Sequence, residues 1–87
     1  MKVKFGYIMR EVAGNIVVVP IGTSAIDFSG VITLNETGAF LWKLLENEIS
    51  EQELLSSMLK EYDIDEEIAK VDISTFLTKL KEADLFE

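Results

Sequence analysis

The 87-residue sequence contains no cysteine and no histidine, and these two absences remove several classes of chemistry. Without cysteine the chain cannot form disulfides, thiol nucleophiles, iron–sulfur ligation or cysteine zinc sites. Without histidine it lacks the commonest general base and the commonest ligand of transition metals. The sequence also has no phosphate-binding glycine loop and no carboxylate spacing typical of a metal site. We therefore predict a protein that is not an enzyme and that uses neither a metal nor a cofactor.

Basic residues are scarce as well, since eight lysines and arginines stand against 16 aspartates and glutamates and the net charge is −8. Nine acidic residues and one basic residue, Lys60, lie between Glu46 and Glu67. Nucleic-acid binding needs a cationic surface that displaces counterions from phosphates, so DNA and RNA are not expected as partners. The acidic surface is either a solvated face or a site for a basic peptide or protein.

Long apolar runs are also absent, and the segment Met1 to Tyr7 lacks the apolar stretch of a signal peptide. We therefore expect a cytoplasmic protein that neither enters nor spans a membrane. The length suits one domain, predicted to comprise residues 1–87, with enough apolar residues to form a hydrophobic core.

Three extended segments come first in the chain. Residues 10–13 and 16–19 flank Gly14-Asn15, a pair that suits a tight hairpin turn because both residues tolerate positive φ. Residues 25–34 form a third extended segment, which Ser29-Gly30 interrupts with a bulge or a second turn. These patterns predict an antiparallel sheet of about three strands.

Three amphipathic helices follow, and each begins at a residue suited to cap a helix. Apolar residues recur at helical spacing after Asn35, Ser50 and Asp65. The run Ser50 to Glu53 has the pattern of a capping box. Strands followed by helices, without a βαβ crossover, predict an α+β fold of the winged helix-turn-helix type.

The junction at residues 31–46 is the most informative part of the sequence, because a short strand passes directly into the first helix. Asn35 is expected to cap this helix, and Glu36 lies at its positive end. A strand held rigidly beside a helix forms a groove. An open strand edge in such a groove can pair with an extended peptide.

The third helix has two apolar stripes, and one core cannot bury both. Its first stripe contains Ala69, Ile73, Phe76, Leu77 and Leu80, and its second contains Ile64, Ile68, Val71 and Thr75. The second stripe either packs on the sheet or receives side chains of a peptide that pairs with the strand. On the second interpretation, the predicted peptide-binding residues are Val31, Ile32, Thr33, Leu34, Ile68, Val71, Asp72 and Thr75.

Two other conspicuous features favour structural roles. Trp42 shares the helical spacing of its apolar neighbours, which places it in the core rather than at a binding surface. The acidic run from Asp63 to Glu67 lacks the glycine and the distal glutamate of a calcium loop. We therefore interpret Asp65 as a helix cap, with the neighbouring acids stabilising the helix dipole.

Three runs of residues resemble a known family. They are residues 31–42 (VITLNETGAFLW), residues 17–20 (VVVP) and residues 50–54 (SEQEL). In this combination the sequence resembles the family of the coenzyme PQQ synthesis protein D over residues 10–86. Members of that family are RiPP recognition elements, small domains with a winged-helix-like fold. They bind the leader segment of a ribosomally made precursor peptide and present it to a modifying enzyme, often a radical SAM protein.

The resemblance implies that a leader peptide adds as a strand at residues 31–34 and rests against the third helix around residues 68–75. These are the two segments that the residue pattern itself indicates. The segment of residues 21–33 is longer than the corresponding segment of the family member that serves pyrroloquinoline quinone synthesis. We therefore predict the general role, a non-catalytic peptide chaperone acting with a maturase, rather than that one pathway.

Two other functions remain open at this stage. One is a winged-helix regulator that binds DNA, against which the negative charge argues. The other is a self-associating structural subunit, since an open strand edge favours strand-paired or swapped homodimers. Residues 2–7 lying against residues 31–34 would favour the latter, because the chain would then fill its own groove.

Overall fold

The computed structural model describes residues 1–21 and 32–87, which form three strands followed by three helices. The strands are β1 (Tyr7–Val12), β2 (Asn15–Pro20) and β3 (Ile32–Leu34), and the helices are α1 (Glu36–Leu45), α2 (Glu51–Glu61) and α3 (Glu66–Glu82). The predicted α+β order of elements is therefore confirmed. Within the two described stretches, no helix has the length and apolarity needed to cross a membrane.

The sheet is antiparallel, with the strands in the order β1-β2-β3. The side chains of β3 alternate as predicted, with Ile32 and Leu34 buried and Thr33 exposed. The predicted bulge or turn at Ser29-Gly30 and most of the segment 25–34, including Val31, lie outside the described residues. The segment of residues 21–33, whose length was compared with that of a family member, also lies mostly outside the described residues.

The hairpin turn lies one residue earlier than predicted. Val12 pairs with Asn15, so the turn residues are Ala13 and Gly14, and both have positive φ (53° and 83°). A turn at Gly14-Asn15 would move Glu11 opposite the fully buried Val18, where a carboxylate would be desolvated. In the observed register Val18 pairs with Met9, and Ala13 accepts the unfavourable backbone conformation instead.

All three predicted helix caps are confirmed. The Asn35 side chain accepts a hydrogen bond from the Gly38 amide at 2.8 Å, and the Asp65 side chain accepts one from the Glu67 amide at 2.9 Å. Ser50 and Glu53 form the capping box, with both hydrogen bonds at 3.1 Å. The hydrogen bonds from the Ser50 backbone and hydroxyl lower the pKa of Glu53.

The core lies between the sheet and the helices. Trp42 is fully buried, as predicted, and the first stripe of α3 faces it. In the described part of the chain, the Trp42 indole N–H has no hydrogen-bond acceptor, which costs about 1–3 kcal/mol for a buried donor. The largest fully buried side chains are Trp42, Leu41, Leu45, Leu54, Met58, Ile73, Leu80, Leu85 and Val18.

The two ends of the chain meet on the side of the core formed by the ends of α1 and α3. Val3 forms an isolated antiparallel bridge with Phe86, and the amide of Lys4 donates to the carbonyl of Leu85 at 2.7 Å. Leu85 is fully buried, so the prediction that residues 85–86 fold back on the core is confirmed. The Lys4 ammonium also pairs with Asp84 at 3.0 Å.

Candidate functional site

A groove lies between β3, the first turns of α1 and the outer face of α3. Its volume is about 450 Å³, and we refer to it as the β3–α3 groove. The residues that line it are Thr33, Leu34, Asn35, Thr37, Gly38, Leu41, Asp72, Thr75, Phe76 and Lys79. The junction of strand and helix thus does form a groove, as its sequence predicts.

The β3 wall of this groove presents an open strand edge. β3 pairs with β2 on one side, and no described strand pairs with its other side. Neighbouring residues in a strand direct their backbone groups to opposite edges, so either Thr33 or its two neighbours face the open edge. The Lys79 ammonium reaches the Thr33 carbonyl oxygen at 3.1 Å, which indicates that Thr33 faces it. Its N–H and C=O are then the groups that an added strand would meet.

The α3 wall contains one member of the second stripe, Thr75, together with Asp72, Phe76 and Lys79. Ile68 and Val71 of that stripe lie beyond the groove lining. Ile68 and Val71 are 55% and 62% exposed, so the interpretation that these two pack on the sheet is wrong. They flank the groove as an exposed apolar pair, while Ile64 packs partly buried against the core.

The floor of the groove depends on a glycine. A Cβ atom at Gly38 would lie 3.0 Å from the Asn35 side-chain oxygen and 3.3 Å from Cε1 of Phe76. The Asn35 oxygen is already held by the Gly38 amide and by the Thr37 hydroxyl, which donates to it at 3.1 Å. Any side chain at position 38 would therefore push against the cap and narrow the groove.

The groove has opposite charges toward its two ends. Asp72 and Lys79 are seven residues apart on α3, which corresponds to about 10 Å along a helix axis. Thr75, with its small polar side chain, lies between them. Among residues 1–21 and 32–87, no cluster of three or more carboxylates is placed to hold a metal ion. The arrangement suits an extended chain that passes between strand and helix.

The structure brings together about half of the predicted peptide-binding residues. Thr33, Leu34, Asp72 and Thr75 line the groove, whereas the side chain of Ile32 is buried in the core. Ile68 and Val71 lie beside the groove, and Val31 lies outside the described residues. The residues that line the groove but were not predicted as peptide-binding are Asn35, Thr37, Gly38, Leu41, Phe76 and Lys79. A glycine in the first turn of a helix was the one local signal that pointed to a close approach.

The described N-terminal residues do not occupy the groove. Lys2, Val3 and Lys4 contact the C-terminal residues and the end of α1. Tyr7 begins β1 and pairs with Pro20, which places it one strand away from β3. Residues 2–7 therefore do not lie against β3, so the structure lacks the contact that would have favoured a groove filled by the chain's own N-terminus.

The fold and groove define a small α+β domain in which a three-stranded sheet leads into three helices, and in which the outer edge of β3 has no described strand as a partner. The model of the family described as coenzyme PQQ synthesis protein D matches residues 15–85. The chain belongs to this family. A search of the curated proteins gives no match.

Two solved structures have similar folds. One is that of TbiB1 in complex with the TbiA(beta) leader peptide, which is 23% identical with a TM-score of 0.75 and covers 100% of this chain and 95% of that chain. The other is a lasso peptide synthetase B1 complexed with the leader peptide, 20% identical with a TM-score of 0.69, covering 93% of this chain and 89% of that one. The winged-helix-like α+β fold predicted from the sequence is thereby confirmed.

Proposed function

We propose that this protein binds the leader segment of a ribosomally synthesised precursor peptide and presents it to a modifying enzyme. The observation that carries the proposal is the β3–α3 groove, which combines an open strand edge with an exposed helical face. The leader pairs with β3 as an added strand, and pockets along α3 select its side chains. Two solved structures that share this fold are complexes with leader peptides, which supports the same class of ligand here.

We propose the following peptide-binding residues. The backbone of Ile32–Leu34 supplies the pairing edge, with Thr33 facing the peptide. Asp72 and Thr75 contact the peptide in the groove, and the exposed side chains of Ile68 and Val71 receive apolar residues that extend beyond it. A groove of this size supports sub-micromolar to micromolar binding, on the order of 8 kcal/mol.

The chain acts without catalysing a reaction itself. Residues 1–87 act as one domain in the cytoplasm beside a maturase, for which a radical SAM enzyme is the candidate. The acidic stretch between Glu46 and Glu67 either steers a basic leader or docks the maturase.

An NMR titration of 15N-labelled protein with the leader peptide encoded nearest to its gene tests this function. We expect saturable shifts at Thr33 and Leu34 on β3 and at Asp72 and Thr75 on α3. A peptide of the same composition in scrambled order is the ligand control. The absence of shifts at millimolar peptide would contradict leader binding. A DNA duplex at physiological salt should cause no shifts.

Two neighbouring residues on α3 provide a matched pair for locating the site. Thr75→Arg places a long side chain in the groove and should weaken leader binding about tenfold or more. Ser74→Arg makes the same change in charge and size at an exposed position that does not line the groove. Equal effects of the two substitutions would show that the peptide binds elsewhere.

A further inference from the structure

The Lys79 ammonium holds an unusual position for a surface cation. It donates to the Thr33 carbonyl oxygen at 3.1 Å and so occupies the acceptor that an added strand would use. Lys70, on another face of the same helix, instead pairs with the Glu66 carboxylate at 3.2 Å. Among residues 1–21 and 32–87, no carboxylate lies within ion-pair distance of the Lys79 ammonium. Within this part of the chain, the hydrogen-bond partner of the Lys79 ammonium is therefore a neutral backbone oxygen.

This contact cannot persist unchanged when a peptide strand pairs with β3. The peptide N–H approaches the Thr33 oxygen along the open edge, in the space that the ammonium occupies. The displaced ammonium then lies beside the bound peptide, where a peptide side chain can replace the lost acceptor. A carboxylate is the strongest acceptor that a peptide side chain offers, because its hydrogen bond with an ammonium is charge-assisted.

We propose that Lys79 is a specificity-determining residue that pairs with one carboxylate of the bound peptide. The proposal rests on the proposed leader-binding function and adds a chemical requirement to it. On binding, Lys79 gives up the Thr33 oxygen to a peptide N–H and forms an ion pair with an Asp or Glu side chain. The leader that this protein selects therefore carries an acidic residue at the position that faces Lys79.

The rest of the molecule makes this requirement selective. The net charge of −8 repels acidic peptides in general, and Asp72 disfavours a carboxylate toward the other end of the groove. A peptide with its acidic residue at the wrong position meets repulsion without the compensating ion pair. Lys79 therefore determines which peptides bind, and it also determines the register in which a bound peptide pairs with β3.

Selection from a phage-displayed library of random 12-residue peptides tests the proposal without knowledge of the natural leader. The library is selected in parallel on the wild-type protein, on Lys79→Glu and on Lys81→Glu. Lys79 and Lys81 both lie in the last turn of α3, so the two substitutions change net charge and helix-dipole interactions alike. Only Lys79 lines the groove. Comparable melting temperatures establish that both variants fold.

We expect wild type and Lys81→Glu to enrich peptides with Asp or Glu at one fixed position. Lys79→Glu should enrich Lys or Arg at that position. For a selected synthetic peptide, replacing its acidic residue by the corresponding amide should weaken binding to wild type about three- to tenfold. The same replacement should have little effect on binding to Lys79→Met, which keeps the aliphatic part of the side chain but not the charge.

Enriched peptides that shift the NMR resonances of Thr33 and Thr75 but show no acidic preference would overturn the role of Lys79 and leave leader binding intact. The same holds if Lys79→Glu selects the same acidic peptides as wild type. Failure of the wild-type protein to enrich any groove-binding peptide would instead contradict the proposed function, and this inference with it.

Discussion

The two faces of α3 are both apolar in sequence, yet they have different environments. Ile73 and Leu80 on one face are 1% and 0% exposed, whereas Ile68 and Val71 on the other are more than half exposed. Burying an aliphatic side chain of this kind is worth about 1.5–3 kcal/mol, so the second face leaves part of that energy unrealised in the free protein. The comparison teaches that one helix can stabilise the fold with one stripe and offer the other to a partner.

The largest effect is expected on the buried face. Ile73→Ala removes a fully packed side chain from the interface with α2 and should lower the free energy of unfolding by about 3 kcal/mol. Ile68→Ala, on the exposed face, should change it by less than about 0.5 kcal/mol. Urea denaturation measures both values. Similar losses for the two substitutions would contradict the division of α3 into a core face and a free face.

A charge on the exposed face should affect binding rather than folding. Val71→Asp is expected to lower leader affinity about tenfold while the melting temperature stays unchanged, because the side chain contacts solvent in the free protein. Val12→Asp is the matched control, since Val12 is 55% exposed on β1, at the opposite edge of the sheet. Unchanged affinity of Val71→Asp would remove this part of α3 from the binding site.

The two helix caps Asn35 and Ser50 allow the same test, because one lines the groove and the other lies away from it. Asn35→Ala and Ser50→Ala each remove an N-cap hydrogen bond and should each cost about 1 kcal/mol of stability. Asn35 lines the groove and Ser50 does not, so only Asn35→Ala should also weaken peptide binding. Calorimetric unfolding and peptide titration separate the two effects. If Ser50→Ala also lost peptide affinity, the weaker binding of Asn35→Ala would be explained by general destabilisation and not by its place in the groove.

The smallest effect concerns the hairpin, at a distance from the groove. Ala13 has a φ of 53°, a conformation that asparagine tolerates better than alanine. Ala13→Asn should therefore raise the free energy of unfolding by about 0.5–1 kcal/mol, as measured in urea. Ala13→Val should lower it, because a β-branched side chain is strained at positive φ. Peptide affinity should not change in either variant.

Local hydrogen-bond chemistry made much of the fold predictable. Asn35, Ser50 and Asp65 cap their helices as the sequence indicates, because a cap depends on residues within three positions of it. The predicted position of the hairpin turn was wrong by one residue. Turn preference depends only on neighbouring residues, whereas the register of β1 against β2 depends on which side chains are buried across the sheet. The need to keep Glu11 away from Val18 outweighed the better turn residues.

The candidate site was only partly predictable for a related reason. Helical periodicity places Asp72 and Thr75 on one face of α3, and the structure brings that face to β3. Helical periodicity does not predict how far a lysine side chain reaches. From the sequence alone, Lys79 is therefore interpreted as an ordinary basic residue in the last turn of a helix. Its contact with Thr33 spans 46 residues of sequence and arises from the tertiary approach of α3 to the strand.

The outward position of Thr33 on β3 has a kinetic consequence. Of the three described residues of the strand, only Thr33 directs its backbone groups to the outer edge, so an added peptide gains few main-chain hydrogen bonds along this part of β3. Micromolar binding combined with an ordinary association rate, about 10⁶ M⁻¹s⁻¹, corresponds to a residence time on the order of one second. A longer edge would hold the peptide longer and slow its transfer. In the proposed function, such a brief residence would let one copy of the protein deliver many precursor molecules in turn.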